Sequence, residues 1–228
     1  MDYLDRLRHP VLPASDALWY SLHRNLGRVP IWTFPDVLRG GGLRGIRLTF
    51  DNYDDLWPVF ADDPSPYIDD RFKTRELLYA YTLMNRGSLP YSGKRGGADW
   101  LLIDSPDETE TYAAHDSIFS QGPLHLREGQ RLIGILHLYA LSRERYEGRQ
   151  PNPFVGLQLI SAAHGTGQAA VALGLLERYV QETYSEVSGV TANIDKENLR
   201  SRRFFEKQGY APSDAYDGKA EEFLVKIF

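Results

Sequence analysis

The stretch Asn198-Leu199-Arg200-Ser201-Arg202-Arg203-Phe204-Phe205-Glu206-Lys207-Gln208-Gly209-Tyr210 decides how the rest of the chain is read. Helix formers run from about Glu197 to Lys207, and Gly209 stops them because glycine adopts the left-handed turn that closes a helix. Upstream, Val190-Thr191-Ala192-Asn193-Ile194 has the β-branched, apolar character of a strand. Before it a helix is predicted over 168–184. Ala169, Ala172, Leu173, Leu176 and Val180 form its apolar face, and Glu177, Arg178 and Gln181 point away. That helix is preceded by Ala163-His164-Gly165-Thr166-Gly167 and by a buried-strand pattern over 154–160. Downstream, residues 223–228 form a last strand. The order is strand, glycine loop, helix, strand, helix, strand.

Moving outward, residues 132–139 are a short apolar run that reads as a central strand. Glu128-Gly129 before it reads as the turn of a hairpin whose other arm is 124–127. Trp100-Leu101-Leu102-Ile103 has strand character, while 105–110 and Gly122-Pro123 carry loop chemistry. A helix is expected over 71–85, an acidic loop over 62–70, and a strand over 46–50 followed by a short helix through Phe60 that Asp51-Asn52 can cap. Residues 1–45 contain Pro10, Pro13, Pro30 and Pro35 and finish in Arg39-Gly40-Gly41-Gly42, a glycine run that breaks helices and strands alike. They read as an N-terminal extension to a domain spanning 46–228.

Composition narrows the chemistry. The 228 residues suit one domain with an extension, and 26 Lys+Arg against 31 Asp+Glu give a net charge of -5, which does not mark a nucleic-acid binder. The absence of cysteine excludes disulfides, cysteine-ligated metal and a thiol nucleophile; no metal is expected. The first ten residues hold four charges and a proline, unlike a secretory leader, and no apolar run is long enough to span a membrane. A cytoplasmic location without membrane contact follows as the expectation. The terminal strand offers an edge through which a homodimer would pair.

Gly165-x-Gly167 at a strand-to-helix junction lets backbone N–H groups approach an anion, since there is no Cβ and a helix N-terminus is partly positive. The same letters satisfy the loose dinucleotide pattern G-x-G-x-x-A, and they also suit a turn that merely packs a helix closely on a strand. A dinucleotide fold needs an acidic residue at the end of the next strand about twenty residues on. Here that strand ends at Asp195, about thirty residues on, with too little chain beyond it for further βα units.

The late helix resembles the motif N-x-x-[AS]-x-x-[FVL]-[YL]-E-K-x-G-[FY] of the Gcn5-related N-acetyltransferase (GNAT) superfamily, and the glycine loop stands at the matching distance. The resemblance covers about 46–228. It implies an α/β (α+β) fold with a mixed central β-sheet flanked by helices, and acyl transfer from acetyl-CoA to an amine. In the family the loop reads [QR]-x-x-G-x-[GA]; Ala162 stands at its first position, so a side-chain contact is lost while the backbone cradle is kept. By resemblance, Ala163, His164, Gly165, Thr166, Gly167 and Gln168 hold the pyrophosphate. Leu157, Gln158 and Leu159 pair with pantetheine on a strand that splays from its neighbour, and Asn198 reaches the same arm. His164, Arg202 and Arg203 are phosphate partners, although a solvated basic helix face explains the two arginines equally well.

The transfer needs proton removal and a route for the departing thiol's proton. The tyrosine that many members use as acid is Phe205 here, and no carboxylate lies between Pro153 and Ala163 to act as base. His137 and Tyr139, two apart on one strand and so on one face, are the nearest candidates, with a water relay as their rival; Ser201 is a candidate partner for the thiol sulfur. In such folds the acceptor meets the first two helices and their loop, where Tyr67, Asp69 and Asp70 would favour a cationic amine on a small molecule or a protein. Two other classes stay open: a silent acyl-CoA-binding module, favoured by the missing tyrosine, and a dinucleotide oxidoreductase.

Overall fold

The computed structural model describes residues 34–35, 37–48, 52–85, 95–105, 124, 126–142, 152–185, 187–213 and 221–228. Most of the N-terminal extension, the loop assignments at 106–110 and Gly122-Pro123, and Asp51 lie outside the described residues. Among the described residues the frame is an eight-stranded sheet of β1 (Val37–Gly40), β2 (Leu43–Arg47), β3 (Arg95–Asp104), β4 (Arg131–Ser142), β5 (Phe154–Leu159), β6 (Gly189–Asp195), β7 (Ala211–Pro212) and β8 (Glu221–Ile227). The order across the sheet is β1-β2-β3-β4-β5-β6-β8-β7. Every neighbouring pair is antiparallel except β5–β6. A single parallel pair in an antiparallel sheet is the mixed sheet expected, and it removes the dinucleotide reading, which needs a parallel array.

Two layers cover the sheet. On one face lie α3 (Gln168–Thr183) and α4 (Leu199–Lys207), and on the other α1 (Trp57–Ala61), α2 (Arg75–Asn85) and the 3₁₀ turns Tyr53–Asp55 and Asp70–Phe72. The apolar stripe of α3 makes the first core: Ala172, Leu173, Leu176 and Val180 pack with Trp100, Leu136, Leu138, Val155 and Ala192. Ala172 is fully buried, and its small side chain lets α3 lie close on the strands. The second core joins Leu56, Phe60, Ile68, Phe72 and Leu78 to Leu101, Ile103 and Ile135 on the opposite face. Each fully buried large side chain of this kind contributes roughly 1.5–3 kcal/mol.

Four sequence expectations change. The glycine run is not a break. Gly41 and Gly42 have φ of 58° and 77° and form the two-residue turn joining β1 to β2, a turn that needs positive φ at both positions. Among the described residues the sheet therefore begins at Val37, and the boundary drawn at 45/46 falls inside β2. Residues 124, 126 and 127 carry no strand, so Glu128-Gly129 turns the chain without making a hairpin, and the partners of β4 are β3 and β5. Asn52 does not cap a helix through its side chain; its Nδ2 donates to the Arg47 carbonyl at 2.9 Å.

Candidate functional site

The site begins where β5 and β6 part. They are paired only at Phe154 with Thr191 and Val155 with Ala192, although β5 runs on to Leu159 and β6 to Asp195. Beyond Val155 the two strands diverge, leaving backbone groups of β5 for a ligand to pair with. Thr191 Oγ1 and Asn193 Oδ1 on β6 are buried without a hydrogen-bond partner. A cleft of about 850 Å³ continues from the fork, lined by Leu157, Gln158, Leu159, Ala163, His164, Gly165, Gly167, Asn198, Ser201 and Arg203, with Tyr67 and Ile68 on its other wall.

At the far end of the cleft the glycine loop is held in one shape. Gly165 and Gly167 have φ of 79° and 87°, and a Cβ at either would meet no atom within 4 Å. The conformation demands glycine while the space above it stays open, as an anion cradle requires. Thr166 Oγ1 donates to the Ala163 carbonyl at 2.8 Å and accepts from the Gln168 N–H at 3.4 Å, while the N-cap Gly167 brings no side chain to the start of α3. Thr166 and Gln168 support the loop from outside the cleft lining.

His164 is tied on both ring nitrogens. Nε2 lies 3.1 Å from the Leu159 carbonyl and Nδ1 2.7 Å from a guanidinium nitrogen of Arg200. A carbonyl only accepts and a guanidinium only donates, so the ring is the neutral Nε2–H tautomer. Burial, then the Arg200 charge, lower its pKa and keep it neutral. The positive charge on the cleft wall therefore comes from Arg200, Arg203 and Lys207. Arg202 turns elsewhere, to Glu206 at 3.1 Å and Glu222 at 3.5 Å.

Asn198 lines the cleft while its Oδ1 accepts from the Ser201 N–H at 3.0 Å, capping α4. Ser201 lies beside it on the same wall. Phe205 is 4% exposed and packs edge-on against Phe204 and Tyr210; of these three aromatics Phe204 lines the cleft.

On the α1/α2 face of the sheet, His137 is 8% exposed, its ring stacked on Phe72 and edge-on to Tyr81. Its Nδ1 lies 2.7 Å from Asp99 Oδ1, and its Nε2 is buried without a partner. Tyr139, on the same face, is 43% exposed and stacks on Phe154. Surrounding atoms, and after them Glu221, push its hydroxyl up to about 12 against the opposing charge of Arg71, so near neutrality it is a proton donor and not a base.

The acidic loop divides. Asp69 binds Arg71 through its carboxylate and donates its backbone N–H to Gln158 Oε1 at 2.9 Å, placing it beside His137. Burial works to raise its pKa, but the Arg71 hydrogen bonds outweigh it and the carboxyl stays below its usual range. Asp70 faces solvent and pairs with Lys73 at 3.0 Å, and Tyr67 sits on the cleft. The fold thus brings His137 and Asp69 together, but it does not bring Asp70 or Arg202 to the rest of the predicted site.

The family model described as the acetyltransferase (GNAT) domain matches residues 95–211, the segment that contains the fork, the glycine loop and α4. The chain belongs to the GNAT acetyltransferase family. Membership supports acetyl-CoA-dependent acyl transfer as its general function. No curated protein matches the sequence. Among solved structures, the ribosomal L7/L12 alpha-N-protein acetyltransferase RimL in complex with coenzyme A is similar at 10% identity, with a TM-score of 0.54, covering 84% of this chain and 98% of that one. A domain from Methanocaldococcus jannaschii DSM 2661 is similar at 15% identity, TM-score 0.52, covering 82% and 98%. The GNAT domain of S. lividans PAT is similar at 16% identity, TM-score 0.51, covering 85% and 94%. At these identities the likeness is one of fold.

Within this GNAT fold, two functional candidates escaped the sequence reading. Asp99 lies in the Gly96-Gly97-Ala98-Asp99-Trp100 run, where a carboxylate inside an apolar strand was the available signal. Arg200 was indistinguishable from its basic neighbours until its contact with His164 was seen.

Proposed function

We propose that this chain transfers the acetyl group of acetyl-CoA to a primary amine by direct attack in a ternary complex. The observation that carries the reading is the β5–β6 fork opening at Val155 onto a cleft that ends in the left-handed Gly165–Gly167 loop. The fit is chemical as well as spatial: open glycine amides and Arg200, Arg203 and Lys207 suit phosphates, and the unpaired edge of β5 suits an amide-bearing arm.

Acetyl-CoA supplies, when bound, an activated thioester carbonyl. The protein's part is to hold the donor along residues 157–168, to bring the amine in from the α1/α2 face past Asp69, and to take its proton. His137 is the base in this reading, because its buried Nε2 has no other partner and Tyr139 keeps its own proton. With no cysteine in the chain, no cysteinyl acetyl-enzyme is expected. Phe205 leaves the thiolate to depart to solvent or toward the Tyr139 hydroxyl.

Initial-rate kinetics with acetyl-CoA and a panel of amines (a polyamine, a lysine peptide, a peptide with a free α-amine, an aminoglycoside) test the proposal. Intersecting double-reciprocal plots are expected. Parallel plots with an isolable acetyl-enzyme would overturn direct attack, and binding of acetyl-CoA without turnover on any amine would favour the silent module.

A further inference from the structure

Three residues lie in one row across three neighbouring strands: Asp99 on β3 is paired with His137 on β4, and His137 with Gly156 on β5. All three positions face the α1/α2 side. Gly156 follows Val155, the last residue of β5 paired with β6, and precedes Leu157, the first β5 residue on the cleft. A Cβ built on Gly156 would stand 3.7 Å from His137 Cδ2, so the imidazole packs directly over this glycine, one residue beyond the last β5–β6 pair. The row therefore runs from a buried carboxylate, through an imidazole, to the point where the strands separate.

We infer that Asp99 is the positioning residue that fixes His137 with its proton on Nδ1 and its lone pair on Nε2, aimed at the incoming amine. The inference rests on the proposal that His137 is the base. The Asp99 carboxylate accepts from Nδ1–H at 2.7 Å, which leaves Nε2 as the only ring atom able to take a proton. Phe72 and Tyr81 hold the ring in plane by stacking and edge contact. The other charged and titratable groups facing it are Asp69 and Arg71 from the loop before α2, Tyr81 from α2 and Tyr139 on its own strand. In the step, the amine nitrogen forms its bond to the acetyl carbonyl carbon and the C–S bond breaks. The amine proton passes to Nε2, and the resulting imidazolium is paired with Asp99 until the proton leaves to the thiolate or to solvent.

Asp99→Asn keeps the shape of the side chain but offers an N–H to Nδ1, which favours the opposite tautomer. Three measurements on the full chain separate the roles: the His137 tautomer by ¹⁵N NMR, the affinity for acetyl-CoA by calorimetry, and amine turnover against pH with the best acceptor of the panel. In the wild-type chain Nδ1 should carry the proton. In Asp99→Asn the proton should move to Nε2 and turnover should fall by roughly 100-fold, the scale of a lost general base, with acetyl-CoA affinity unchanged. Asp99→Glu should recover part of the rate. A wild-type ring protonated on Nε2, or an Asp99→Asn variant with the wild-type tautomer and pH profile, would overturn the inference. His137→Gln with full turnover would instead sink the base assignment while leaving the tautomer result standing.

Discussion

The phenol oxygen of Tyr67 lies 3.2 Å from the backbone carbonyl of Glu197 and donates to it across the mouth of the cleft. The contact joins the loop after α1 to the segment entering α4, the two walls between which the donor's arm would lie. An exposed hydrogen bond of this kind contributes about 0.5–1.5 kcal/mol. Tyr67→Phe should therefore speed dissociation of CoA by roughly two- to tenfold, as read by stopped-flow displacement, with little change in Tm. An unchanged dissociation rate would show that the bridge plays no part in retaining the ligand.

Gly167 is the residue at which backbone conformation and binding meet. Its φ of 87° is one that a β-branched residue adopts only under strain, so Gly167→Val should lower stability by roughly 1–2 kcal/mol, read as a Tm lowered by about 2–8 °C. The new side chain would also project into open space at the cradle and should weaken CoA binding sharply. Calorimetry on the folded variant checks this, and wild-type affinity would remove the loop from the phosphate site.

The last third of the chain was legible because its information is local. The α3 periodicity and the Gly209 stop each lie within one helix, and the structure places the helices at Gln168–Thr183 and Leu199–Lys207. The Asp99–His137 pair was not legible, because the two are 38 residues apart and meet only through β3–β4 register. The hairpin at Gly41-Gly42 was lost for a different reason: glycines that break an element and glycines that turn it have the same spelling, and only the strands on either side distinguish them. Arg200 and Arg202 differ by half a turn of helix, which sequence cannot orient against an unseen wall.

Those two arginines give a direct comparison. Arg200 faces the cleft beside His164, and Arg202 is held by Glu206 and Glu222. Arg200→Ala should weaken CoA binding about tenfold or more, since a hydrogen bond to a charged group contributes about 1.5–3 kcal/mol. Arg202→Ala should leave it near the wild-type value. Equal losses in the two variants would mean that the helix acts through its overall charge and not through placement.

Asp63 ties the loop after α1 to the segment beside the cleft. Its carboxylate accepts from the Ser161 N–H at 2.6 Å, the Ser161 hydroxyl at 2.8 Å and the Ser65 N–H at 2.9 Å. Burial works to raise its pKa, but these hydrogen bonds outweigh it and the folded-state value lies below the ordinary carboxylate value of 3.8. A depressed carboxyl pKa means that the unfolded chain binds more protons in this window, so stability rises with pH there. The contribution is fully present above the unfolded value and is lost as pH falls through the folded one. Asp63→Asn should thus be less stable than the wild type by a constant margin at neutral and mildly acidic pH, and that margin should shrink only as the pH is taken below about 4. Denaturant unfolding of both proteins across this range measures it; a margin independent of pH down to the acid limit would show that the charge of Asp63 is not what holds the loop.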